Sequence, residues 1–157
     1  MNKKKHEYYL KIALNEAKKA LKQNKCPIGA VLVNAKDEKI IAKNYSKNAH
    51  SSVLFHAEIN VIDTIKESQI KKDNLIIYST LEPCIMCIGT LVRLGILHFV
   101  FGQRDWNMWQ ISPLDVSPYL RRKIKTYENI NCFSNDYYKL YSKYDEEEAR
   151  RVFNIEN

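Results

Sequence analysis

The chain has 157 residues, of which 45% are hydrophobic and 27% charged, with only four Gly and four Pro. That length fits a single domain, residues 1–157, able to bury roughly 70% of its unfolded surface, and the composition excludes disordered, collagen-like and low-complexity chains. The net charge of +7 is unevenly placed: residues 1–25 hold eight Lys against Glu7 and Glu16, residues 26–116 hold nine charges of each sign, and residues 117–157 carry +1.

Residues 5–23 place Tyr9, Leu10, Ala13, Leu14, Ala17, Ala20 and Leu21 at helical spacing with Lys on the other faces, which predicts an amphipathic helix. The segment serves either as a solvated lysine-rich face or as a polyanion-binding one. IGAVLV at 28–33 and KIIAK at 39–43 read as strands, joined through turn residues into a hairpin. Helical spacing returns at 56–67 through Ala57, Val61, Ile62 and Ile65, and LIIYS at 75–79 is a buried strand. Residues 84–95 read as a helix opened by Pro83 and closed by Gly95, followed by a strand at 97–101. Helix, strand, helix, strand from residue 56 implies parallel pairing with helices covering the sheet. Residues 136–153 read as one amphipathic helix with the acidic run 145–148 as its solvated face. No apolar run approaches the ~18 residues of a spanning helix, and the basic start lacks the features of a secretory signal. The expectation is a soluble cytoplasmic protein without a membrane partner.

Four cysteines in such a chain point to metal or catalysis before disulfides. Cys26 and Cys132 stand apart from other ligands and read as small buried hydrophobes. Cys84 and Cys87 form a C-x-x-C at a helix start, where unpaired backbone N–H groups favour thiolates. Alone, that spacing fits a redox pair or chance equally well. With His56 upstream, three ligands result, leaving a fourth tetrahedral position for water, as a catalytic zinc ion requires; iron is the alternative metal. The other histidines are poorer candidates: His6 lies in the basic helix, His50 in a polar loop and His98 inside a strand. Glu58 follows His56 by two residues, where a carboxylate can exchange a proton with the activated water; otherwise it is a helix-start acid favoured by the dipole. H-x-E…P-C-x-x-C is the signature of zinc deaminases of nucleobases.

The chain resembles the cytidine deaminase-like superfamily through CPIGAVLV at 26–33, HAEIN at 56–60 and STLEPCIMCIGTLVRLGILHFVFGQRD at 79–105. TLEPCIMC and the closing FGQRD are most similar to the bacterial tRNA adenosine deaminase branch. The resemblance is strongest over residues 5–105. It implies a three-layer α/β/α fold on a central mixed five-stranded sheet, one Zn2+ per active site and a homodimer. In that scheme His56, Cys84 and Cys87 bind zinc and Glu58 shuttles the proton. Water then replaces the amino group at C6 of adenine, releasing ammonia. Substrate contacts fall on Leu81 and Glu82, on Arg104 and Asp105, and on a pocket Asn near the end of the second strand. Asn44 is the choice for that Asn, with Ser46 and Asn48 as alternatives.

The likeness stops at residue 106, where WNMWQISPLDVSPYLRRKIK replaces the branch's Gly/Ala/Ser-rich loop. Trp106 and Trp109 either stack nucleotides or pack at an interface. Arg121, Arg122, Lys123 and Lys125 form a short basic cluster, for phosphate or for solvent. The substrate is therefore adenosine in tRNA, at the wobble position, or a small nucleobase or nucleoside such as guanine, cytosine or a derivative.

Overall fold

The computed structural model describes residues 1–47, 54–65, 74–105 and 113–155. Asn48, His50, Trp106 and Trp109, and the last two residues of the helix expected at 56–67, lie outside these.

A long helix, α1 (Lys3–Lys22), is capped by the Asn2 side chain and leads into β1 (Gly29–Asn34) and β2 (Lys39–Tyr45). Then come α2 (Ala57–Ile62), β3 (Leu75–Leu81), α3 (Ile85–Arg93) and β4 (His98–Gln103). The C-terminal part holds α4 (Pro113–Val116), α5 (Pro118–Lys123), β5 (Thr126–Asn129), α6 (Ser134–Ser142) and α7 (Glu146–Phe153). The sheet order is β2-β1-β3-β4-β5, with β1 antiparallel to both its neighbours and β3, β4 and β5 parallel, which is a mixed five-stranded sheet as expected.

Every residue of β3 is buried, because both faces of the sheet are covered. Pleating sends Leu32 and Ile77 to one side and Val31, Val33 and Tyr78 to the other. The first side packs against α2, α3 and α5 through Val61, Ile88, Leu91 and Leu120. The second packs against α1, α6 and α7 through Leu10, Ala13, Tyr137, Tyr141 and Val152. The arrangement is three layers, helices on sheet on helices. Gly29 lets α1 approach β1 closely: a Cβ there would stand 2.0 Å from the Ala13 carbonyl oxygen and 2.6 Å from the Ala17 nitrogen.

Local chemistry moves several boundaries. Cys84, not Pro83, occupies the N-cap of α3 in extended backbone, and Pro83 precedes it. Gly95 does close the helix: at φ 83° it supports a Schellman pair in which Gly95 N–H donates to Val92 O (3.0 Å) and Ile96 N–H to Leu91 O (2.9 Å). α2 ends at Ile62, before the Ile65 that its spacing includes, where the Thr64 hydroxyl donates back to Val61 O at 2.6 Å. The single helix expected over 136–153 is two. Asp145 turns extended and its carboxylate accepts from Glu148 N–H at 2.9 Å, so the acidic run opens a new helix. Glu146, Glu147 and Glu148 then meet the positive end of its dipole.

Candidate active site

Two helix starts meet at the carboxyl ends of β3 and β4, the usual location of sites in α/β sheets. His56 is the N-cap of α2 and Glu58 lies in its first turn; Cys84 is the N-cap of α3 and Cys87 lies in its first turn. The packing of α2 and α3 on one face of the sheet brings the two starts together. His56 Nδ1 stands 3.4 Å from both Cys84 Sγ and Cys87 Sγ. One donor atom from each residue lies within 4.8 Å of the others, and no other such trio of His, Cys, Asp or Glu occurs among the described residues. A soft pair of sulfurs with one imidazole is the donor chemistry that zinc takes, so these residues fit the metal.

The electrostatics agree with a thiolate donor. The Cys84 thiol is driven down to about 4, chiefly by the hydrogen bond from Cys87, with His56 adding to it. Cys87 is held above the ordinary thiol range as the protonated partner, and the Cys84 contact raises His56. Neither remaining cysteine joins the cluster. Burial pushes Cys26, whose sulfur lies 3.4 Å from the Tyr141 hydroxyl, up to about 12, and Cys132 up to about 11. Both are half-buried rather than fully enclosed. His6 and His98 are engaged elsewhere, with Tyr78 at 3.0 Å and Thr126 at 2.9 Å.

Glu58 is 3% exposed. Its Oε1 accepts a 2.6 Å hydrogen bond from Ser79 Oγ, and its Oε2 lies 3.6 Å from Cys87 Sγ. The carboxylate thus stands beside the sulfur–imidazole trio without belonging to it. Burial raises its pKa, and the Ser79 hydroxyl opposes that rise.

The residues expected to contact substrate fall into two groups. Asn44 is the next-to-last residue of β2; its Nδ2 donates to Asn60 O at 3.2 Å and its Oδ1 accepts from Tyr45 N–H at 2.9 Å. Ser46 is buried, its N–H donating to Ile28 O at 2.9 Å. Leu81 ends β3 opposite Gln103, and Glu82 N–H donates to Gln103 O at 2.8 Å, so that amide is already engaged. The buried Glu82 carboxylate accepts from Tyr127 OH (2.7 Å) and from Asp105 N–H (3.2 Å), and pairs with Arg104 at 3.7 Å. Glu82, Arg104 and Asp105 therefore form one brace across the ends of β3, β4 and β5.

Two positioning residues escape the sequence reading. Ser79 reads there only as the end of an apolar strand, although a polar residue closing LIIYS is the available signal. Asn60 sits inside HAEIN, and its Nδ2 donates to Tyr45 O (2.8 Å) and Phe55 O (3.0 Å), tying the segment before His56 to the end of β2.

A three-layer α/β/α fold with a His-Cys-Cys trio and a buried glutamate at two helix starts defines a zinc-deaminase type of site. Residues 3–103 match the family described as cytidine and deoxycytidylate deaminase zinc-binding region, and the chain belongs to that family, whose cofactor is zinc. It is similar to a tRNA-specific adenosine deaminase of Rickettsia bellii, 36% identical over 97 residues, covering 59% of this chain and 66% of the relative. The chain spans just under two thirds of the length of the curated relatives it matches. Among solved structures, one from work on A-to-I editing by tRNA:A34 deaminases at the wobble position of transfer RNA is 27% identical at a TM-score of 0.65, covering 78% of this chain and 98% of that one. A diaminohydroxyphosphoribosylaminopyrimidine deaminase/5-amino-6-(5-phosphoribosylamino)uracil reductase of Thermotoga maritima is 25% identical at a TM-score of 0.72, covering 97% of this chain and 42% of that one. No helix among the described residues is long and apolar enough to cross a membrane.

Proposed function

We propose that residues 1–157 form one zinc-dependent hydrolytic deaminase domain that converts adenosine to inosine at the wobble position of tRNA, with release of ammonia. The observation that carries the reading is the buried Glu58 carboxylate beside, but outside, a His56–Cys84–Cys87 donor set. Its substrate comes from the tRNA-specific relatives.

His56, Cys84 and Cys87 would hold the zinc ion, three donors leaving room for water. Zinc bound there supplies a Lewis acid that brings the pKa of water toward ~7. Glu58 accepts one proton of water as the oxygen adds to C6 of adenine and delivers it to N1, then carries the remaining hydroxyl proton to the amino group, so that the C6–N bond breaks and adenosine and water become inosine and ammonia. Ser79 fixes Oε1 and leaves Oε2 on the side of the donor set, 3.6 Å from Cys87 Sγ. Asn44, Leu81 and the Glu82–Arg104–Asp105 brace bound the substrate side of the site. We further read the protein as a cytoplasmic homodimer; exposed Leu54, Phe55 and Ile85 near the starts of α2 and α3 offer apolar surface for a second copy.

A second reading, deamination of a free base or nucleoside, has two supports. The aminopyrimidine deaminase overlays 97% of the chain, and residues 26–116 carry no net charge to attract a polyanion. The test is Glu58→Ala: zinc content stays at the level of the unmodified protein while ammonia release from tRNA falls to background. A fully active variant overturns the mechanism.

A further inference from the structure

α1 turns its apolar side to the sheet, with Leu10, Ala13, Ala17 and Ala20 all fully buried. On its outer side Lys4, Tyr8, Lys11, Asn15, Lys18 and Lys22 recur at alternating steps of four and three, and all six are exposed. That spacing forms one straight stripe about 27 Å long at 1.5 Å per residue. One acid, Glu7, stands at the margin of the stripe, three residues after Lys4 and four before Lys11. Glu16 is buried on the inner side, where Lys19 (2.7 Å) and Lys43 (3.6 Å) neutralise it, and Glu38 is taken by Lys5. The four stripe lysines make no ion pair with any described residue. Four of the eight lysines of residues 1–25 therefore lie on one face of one helix.

The topology sets the direction of this stripe. β1 runs antiparallel to β3, so Gly29 lies where β3 finishes, and its N–H donates to Thr80 Oγ1 at 3.1 Å, next to Ser79 and so to Glu58. Residues 23–28 connect Lys22 to Gly29 directly, which puts the Lys22 end of the stripe at the edge of the sheet that carries the site. The Lys4 end lies at the opposite edge, where the neighbouring Lys5 reaches Glu38 in the β1–β2 turn. The stripe thus starts at the sheet edge that carries the site, where Gln23 Nε2 donates to Tyr45 OH at 2.7 Å, and runs along the face opposite α2 and α3.

A basic helix attracts either nucleic acid or an anionic membrane. Membrane insertion needs a free apolar face, and that of α1 is committed to the core. What remains is exposed ammonium groups with a 59% exposed tyrosine among them, which suits a phosphate backbone. We propose that this stripe is a phosphate-binding track for the RNA flanking the reacting nucleotide. The inference rests on the RNA-deaminase reading above.

The test uses the full-length, zinc-loaded protein carrying Lys4→Gln, Lys11→Gln, Lys18→Gln and Lys22→Gln together, with unmodified tRNA as probe. The Kd for tRNA should rise at least about tenfold at 100 mM salt, and the slope of log Kd against log salt should shrink by about 3, at roughly 0.7–0.9 for each phosphate that is no longer neutralised. The corresponding quadruple Lys→Arg protein should keep both values. An unchanged Kd and slope overturn the inference, as does a loss confined to phosphatidylserine vesicles. If the Gln protein edits tRNA with unaltered KM, the track fails while the RNA-deaminase reading stands. If tRNA binding depends on the stripe but no tRNA adenosine is converted, the track stands and that reading fails.

Discussion

Ser79→Ala removes the hydroxyl that donates at 2.6 Å to Glu58 Oε1 and touches none of the three metal donors. The Glu58 carboxylate is buried, so bulk solvent cannot take the place of that donor. A hydrogen bond to a charged group contributes about 1.5–3 kcal/mol, and each 1.36 kcal/mol of barrier is tenfold in rate. Loss of the bond should therefore lower kcat/KM by roughly tenfold to 150-fold. Leaving the carboxylate unsatisfied also costs stability, at about 2–4 °C of Tm per kcal/mol for a chain of this size. The assay pairs ammonia release with zinc content on the same preparation. A large rate loss at full zinc occupancy is the expected result. Full activity, or a rate loss matched by an equal zinc loss, would refute the assignment of Ser79 as the residue that positions Glu58.

Cys87→Ala should bring zinc to background and abolish turnover, and a chelator should do the same to the unmodified protein, with activity returning on zinc addition alone; metal analysis before and after readdition checks both. His6 is buried against Tyr78, and desolvation holds its pKa below 6.5, partly offset by Glu128. Because the unfolded chain then binds the proton more readily, stability is full above about pH 6.5 and declines as the pH falls below it. His6→Gln should be less stable than the parent at pH 8, with the gap narrowing at pH 5 in denaturant titrations; a gap independent of pH contradicts this.

The chemistry of the site was legible because it rests on residue types at fixed short spacings. H-A-E and P-C-x-x-C each occupy one helix start, so local geometry already aligns the donors, and the fold needs only to bring α2 and α3 together. Strands β1 and β3 were legible for a similar reason: double-sided burial leaves near-continuous apolar runs. Ser79 and Asn60 were hidden because their partners lie 21 and 15 residues away, across elements whose register no spacing records. β5 was missed because its four residues carry too little pattern to separate from a loop. The break between α6 and α7 turns on the backbone of Asp145, whose capping role is indistinguishable in sequence from an acid on a solvated face. The basic character of α1 was plain in sequence, but only the topology places one end of its stripe at the edge of the sheet that carries Glu58.

The central claim is a substrate claim, and it is met directly by incubating the zinc-loaded protein with unmodified tRNA and quantifying ammonia and inosine together. One inosine per ammonia, confined to the wobble position and absent with Glu58→Ala, is the predicted result. Unedited tRNA alongside ammonia release from a free base, nucleoside or aminopyrimidine would contradict it.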